Sequence, residues 1–153
     1  MFELGHLRNR IHKILSDNLG TPQIGDVTGD FIVHFGSVAI FVSPSYDHAA
    51  KHLYVEVVCP LICDVKITDE LCRWIAIDGQ KFMYGSFLLN AVPDQEAGWV
   101  YFRYGICADD LYESELLNAV TQVAAAADTA AEELQGRFGG ELFNSLLERL
   151  ADS

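Results

Sequence analysis

Basic residues are scarce in this chain. Only 10 lysines and arginines stand against 22 aspartates and glutamates, for a formal charge of −12. A chain this acidic repels phosphate backbones and anionic lipid surfaces, so neither nucleic acid nor membrane is expected as a partner. Long apolar runs are also missing. No stretch approaches the roughly 20 residues of a membrane-spanning helix, and no cationic N-terminal segment leads into an apolar one. A cytoplasmic location is the expectation. Neither GxGxxG nor a lysine-bearing glycine loop follows a strand-like segment, so no phosphate or dinucleotide cradle is foreseen. Without an activated nucleophile or an acid–base pair in any familiar motif, the chain reads as a non-enzyme with no cofactor.

What is present is core-forming material. Half of the 153 residues are hydrophobic and 11% aromatic, enough to offset the entropy of folding one domain that spans residues 1–153. Apolar residues Leu4, Leu7, Ile11, Ile14 and Leu15 recur every three or four positions, the signature of an amphipathic helix that stops near Gly20-Thr21-Pro22. The β-branched and aromatic runs 31–35, 38–42 and 53–59 read as an antiparallel meander, with Gly36-Ser37 as its first turn and the polar stretch 43–52 as its second. Thr68 stands where a helix cap belongs, followed by Asp69 and Glu70 in the first turn. That helix is predicted to run to about Asp78. Two more strands (82–92 and 99–107) flank the turn PDQEAG. A long helix capped by Asp109 or Asp110 and ending at Gly136 follows, then a short amphipathic one over 141–150. The expected class is α+β: an antiparallel sheet of about five strands with helices on one face, in the order α-βββ-α-ββ-α.

Three of the four cysteines, Cys59, Cys63 and Cys72, fall in the segment VEVVCPLICDVKITDELCRWI (55–75). Zinc sites favour repeated Cys-x-x-Cys pairs or pairs completed by histidine, and neither is present. On an ideal strand Cys59 and Cys63 share a face about 13 Å apart, too far for one metal or one disulfide unless a bulge at Pro60 intervenes. All three are therefore expected to pack as small hydrophobes, with Cys72 beside Leu71 and Ile75 on its helix. A sensory protein with redox- or metal-responsive cysteines is the competing reading. His48 and His52 have helical metal-pair spacing, but in a polar loop with only Asp47 nearby they read as solvated. His34 reads as a half-buried strand histidine.

Alternation along the strands sorts the remaining side chains. Phe31, Val33, Phe35, Val55, Val57, Val100 and Phe102 make one apolar face for the helices. The opposite face collects His34, Tyr54, Glu56, Trp99, Tyr101 and Arg103. Aromatics with an arginine are what protein interfaces enrich, so this face is expected to meet the last helix, a subunit partner or a client polypeptide.

The stretch VCPLICDVKITDELCRW (58–74), the glycine-bearing strand KFMYGSFLL (81–89) and the ending AADTAAEELQGRFGG (126–140) resemble the YbjN-domain and type III secretion chaperone-like (CesT-like) family, in its actinobacterial branch. The likeness spans roughly residues 2–140. It implies a non-enzymatic, often homodimeric module that binds peptides or holds a client partly unfolded; YbjN-like members have also been linked to signalling and stress regulation. Cysteines at 59, 63 and 72 are not part of that pattern. On this reading the partner-binding residues are Tyr54, Glu56, Trp99, Tyr101 and Arg103 on the sheet, with Leu4, Leu7 and Ile11 on the first helix beside a groove.

Overall fold

A computed structural model describes residues 2–36 and 38–153; Ser37, expected in the first hairpin turn, lies outside the described residues. The chain runs α1 (Phe2–Leu19), β1 (Gln23–Ile24), β2 (Phe31–Phe35), β3 (Val38–Asp47), β4 (His52–Lys66), α2 (Asp69–Ala76), a 3-10 turn (Asp78–Lys81), β5 (Ser86–Ala91), β6 (Ala97–Cys107), α3 (Glu113–Phe138), β7 (Glu141–Leu142) and α4 (Phe143–Ala151). The class is the α+β one expected. Its antiparallel sheet has seven strands rather than about five, in the order β1-β2-β3-β4-β6-β5 with β7 added beside β4. The two extra strands are the two-residue pairings β1 and β7, too short to leave a periodic signal. Among the described residues no helix is long and apolar enough to cross a membrane.

Three helices cover one face of the sheet. Leu7, Ile11, Ile14 and Leu15 of α1, Leu71 and Trp74 of α2, and the α3 stripe Leu116, Val120, Val123, Ala127, Ala130 and Leu134 share one buried cluster with Phe31, Val33, Val55, Val57, Val100 and Phe102. Between Leu116, Val120, Val123 and Leu134, the alanines of α3 add little bulk against the strands. Thr68 caps α2 as expected, its hydroxyl accepting the Leu71 N–H at 3.1 Å. Tyr112, not Asp109 or Asp110, stands at the start of α3, where Glu115 takes the Tyr112 N–H. Asp109 is occupied elsewhere. Its Oδ1 accepts the Leu53 N–H at 2.9 Å and its Oδ2 lies 2.5 Å from His52 Nδ1, which ties the end of β6 to the start of β4. Together these hold the Asp109 carboxyl below its ordinary pKa, the backbone hydrogen bond first.

The central hairpin is longer than predicted. Residues 43–47, assigned to a loop, continue β3, and β4 extends to Lys66. Both strand prolines sit where the ladder is one-sided. Pro44 lies beyond Val42, the last β3 residue paired with β2, and Pro60 falls between the end of β3 pairing at Val58 and the start of β7 pairing at Ile62. A missing N–H there breaks no strand bond on the bare side.

Under α2 the aromatic rings of Trp74, Phe82, Phe87 and Phe102 meet edge to face, with centroids 4.9–5.7 Å apart along the contacts among them. Gly85 is what lets the chain pass over them: its φ is +80°, and a Cβ there would come within 2.6 Å of the Arg103 carbonyl and 2.8 Å of the Phe102 ring. Gly85→Ala is expected to destabilise the fold by about 2–4 kcal/mol through overpacking and left-handed strain together. Gly105→Ala, with nothing within 4 Å of its Cβ position, serves as the control in denaturant unfolding; equal midpoints for the two variants would contradict this packing.

Candidate partner-binding surface

On the face of the sheet turned away from α1, α2 and α3, strand register sets out rows of side chains. Ile32, Phe41, Val58, Arg103 and Ser86 form one row across β2, β3, β4, β6 and β5. Ser43, Glu56 and Gly105 form the next, and Ser45, Tyr54 and Cys107 the one beyond. Gly105 leaves room beside Glu56, and Arg103 Nη1 crosses the diagonal to Glu56 Oε1 at 3.3 Å. This pair is partly exposed, so its contribution is about 0–1 kcal/mol. Its effect is to neutralise charge in the middle of an otherwise uncharged patch.

Trp99 and Tyr101 stack at 6.2 Å with their planes 24° apart. Burial raises the Tyr101 phenol above its ordinary pKa, against an opposing hydrogen bond with Asn90. Tyr54, Glu56, Trp99, Tyr101 and Arg103 are thus brought onto one continuous half-buried surface. Leu88 and Val58, which the sequence reading did not single out, lie among them. Period-two alternation from Phe87 and Val57 was the signal that places them there.

The helix-one residues need correction. Ile11 is fully buried in this chain's own core and is not available to a partner, while Leu7, 5% exposed, packs in the same core and shows only an edge in the groove beside α1. Leu4 is half-buried at the rim of that core. The groove beside α1 exists, with a volume of about 490 Å³, but its mouth is lined by Glu3, His6, Arg10 and Asp109 over Leu53 and Leu111. It mixes charges of both signs.

The last helix reaches that open face. Phe143, at the first turn of α4, is 8% exposed and packs with Ala39 and Cys63 against Phe41, Trp99 and Leu146, in a cluster separate from the main core. Its ring lies 6.0 Å from Phe41 and 6.1 Å from Trp99. Burying such a ring stabilises by about 1.5–3 kcal/mol. The helix covers only one end of the face, and its Leu147 and Leu150 remain 37% and 56% exposed.

Two β4 bulges, one between Pro60 and Ile62 and one between Ile62 and Val65, decide where the thiols go. Cys59 stays in the main core, whereas Cys63 is turned to the opposite face under Phe143. A bulge does occur beside Pro60, yet it separates the thiols instead of joining them. Cys72 is exposed, contrary to expectation, because the buried stripe of α2 is Leu71 and Trp74, and Cys72 lies a quarter turn off it. Burial pushes the Cys59 thiol up to about 12, with Asp128 adding to it, and the Cys63 thiol up to about 11, with Glu141 and Asp64 adding to it. His48 packs edge-on against Tyr46, Asp47 caps the turn through the Ala49 and Ala50 N–H groups, and His52 is taken by Asp109. Among the described residues no three His, Cys, Asp or Glu side chains converge on a metal position.

Known proteins are similar to this chain in sequence family and in fold. The family model described as T3SS (YopN, CesT) and YbjN peptide-binding chaperone 1 matches residues 5–145. Among solved structures, YbjN from E. coli superposes with a TM-score of 0.62 at 10% identity, over 89% of this chain and 95% of that one. An uncharacterized protein from Methanothermobacter thermautotrophicus gives 0.56 at 15% identity, over 87% and 99%. The Yersinia pestis type III secretion chaperone SycH, solved with a stable fragment of YscM2, gives 0.47 at 10% identity, over 83% and 95%. No curated protein sequence matches the chain.

In native protein, thiol labelling is expected to modify the exposed Cys72 and Cys107 rapidly, and Cys59 and Cys63 only on unfolding. Two fast and two slow sites by mass spectrometry would agree; a fast Cys59 or Cys63 would contradict the packing and revive a redox reading.

Proposed function

Because the chain belongs to the T3SS and YbjN peptide-binding chaperone family, we propose that it is a non-enzymatic cytoplasmic chaperone that holds or regulates a client polypeptide and acts as a homodimer. The observation that carries this reading is the open sheet face: Trp99, Tyr101, Tyr54, Val58 and Leu88, half-buried and contiguous, around one internally neutralised Arg103–Glu56 pair. An extended client segment laid across these rows gains apolar contact from alternate side chains. It meets no uncompensated charge in the centre. The exterior charge of −12 keeps a chain with such a patch soluble and steers it away from nucleic acid and anionic membranes. Further apolar surface is available for a second copy, where Met83 is 86% and Tyr84 46% exposed beside Tyr104.

The sensory alternative draws little from the cysteines. Burial holds the Cys59 and Cys63 thiols protonated.

The test is Trp99→Ala with Tyr101→Ala, measured by fluorescence anisotropy with a labelled polypeptide kept unfolded by alkylated cysteines. Affinity is expected to fall at least about tenfold, since truncating aromatic anchors costs more than about 1 kcal/mol each, with circular dichroism unchanged. Light scattering on the wild type checks the homodimer separately. Unchanged affinity in the double variant would overturn the assignment of this face.

A further inference from the structure

The seat of Phe143 shares Trp99 with the surface that the proposed client would use. Its ring lies against Trp99 and Phe41, with Ala39, Cys63 and Leu146 completing the enclosure. Trp99 in turn stacks on Tyr101, so the seat is continuous with the open face. The rest of the segment is attached lightly. Strand β7 contributes two residue pairings with β4, Ile62 with Leu142 and Cys63 with Glu141. The Glu141–Arg149 ion pair, 2.9 Å, ties α4 to its own preceding strand and not to the body of the protein. Leu147 and Leu150 stay exposed. Before this unit come two glycines in the left-handed region: Gly139 at φ +78°, whose Cβ position faces open space, and Gly140 at φ +82°, which lies close against the Cys63 carbonyl, Ile62 and Val65. Residues 141–151 therefore form one short unit, held by the Phe143 ring, Leu146, the two β7 pairings and the Gly140 contact, with Gly139 before it free of close neighbours.

Resting on the chaperone reading above, the geometry points to α4 as a displaceable internal ligand: Phe143 occupies an aromatic seat at the end of the sheet face, and a client segment bearing an aromatic side chain takes that seat by lifting α4 away. The partner chemistry follows from the seat. Once α4 lifts, the walls of the seat are the Phe41 and Trp99 rings with Ala39 and the Cys63 thiol, so it favours an aromatic side chain on an extended backbone. While α4 is seated the client competes with it, and apparent affinity falls in proportion to the open fraction.

The probe is the peptide acetyl-Gly-Ser-Phe-Ser-Leu-Ser-Gly-amide, with Ser in place of Phe as its control, titrated into full-length protein by amide NMR and followed by hydrogen exchange. On wild type the Phe peptide is expected to shift signals of Phe41, Trp99 and Tyr101 and to accelerate exchange across residues 141–151. The Ser peptide does neither. Phe143→Ala, which empties the seat, is expected to bind the Phe peptide at least about fivefold more tightly. The exchange measurement on wild type stands whether or not that variant is stable. Binding to the sheet face with exchange in 141–151 unchanged or slowed, or weaker binding by Phe143→Ala, overturns displacement and leaves the chaperone reading intact. Failure of the peptide to bind either protein anywhere overturns both.

Discussion

The alternation of side chains along β4, with the two bulges that interrupt it, sets what each face of the sheet holds. This strand pairs with β3, β6 and β7, and up to Cys59 its odd-numbered residues feed the core under α3 while Tyr54, Glu56 and Val58 turn outward. A strand with strict period two would have kept Cys63 in that core. The bulges instead turn Cys63 outward, and the outward pocket formed with Ala39 is what Phe143 fills. The separation of the thiols, the docking of α4 and the limit of the open sheet face all depend on that local loss of register.

A second consequence concerns stability against stickiness. One layer of helices hides one face of a sheet, and the other is left to solvent, a partner or the chain itself. Here the uncovered face is neither charged nor fully apolar: its aromatic rings surround one ion pair, and α4 closes one end. Such a surface tolerates water yet gains on contact with an extended chain, which suits reversible holding better than permanent burial.

Much of this was legible in the residues. Phe31, Val33 and Phe35 declared their face by alternation, Thr68 declared its helix by the acids after it, and Trp99, Tyr101 and Arg103 fell opposite the core as the period required. Other features depend on contacts between segments far apart in the chain. Pro44 looked like a loop residue because the sequence does not tell that β2 ends its pairing before it, leaving the edge bare. Leu7 and Ile11 were apolar on the correct stripe, but periodicity does not distinguish a stripe buried in its own core from one offered to a partner. Asp109 resembled a helix cap by position and is instead claimed by Leu53 and His52, more than fifty residues earlier. The glycine pair before Phe143 marked a break, though not which face the last helix would reach.

The claim on which the account rests is that an unfolded chain lies across the outward face of β4 and β6. A photoreactive benzophenone amino acid in place of Val58, half-buried at the centre of that face, tests it against the same group in place of Ala125 on the exposed side of α3. With an alkylated, unfolded polypeptide present, the account predicts a cross-linked adduct from position 58 and little from position 125. Equal yields from the two positions, or an adduct from position 125 alone, would contradict it.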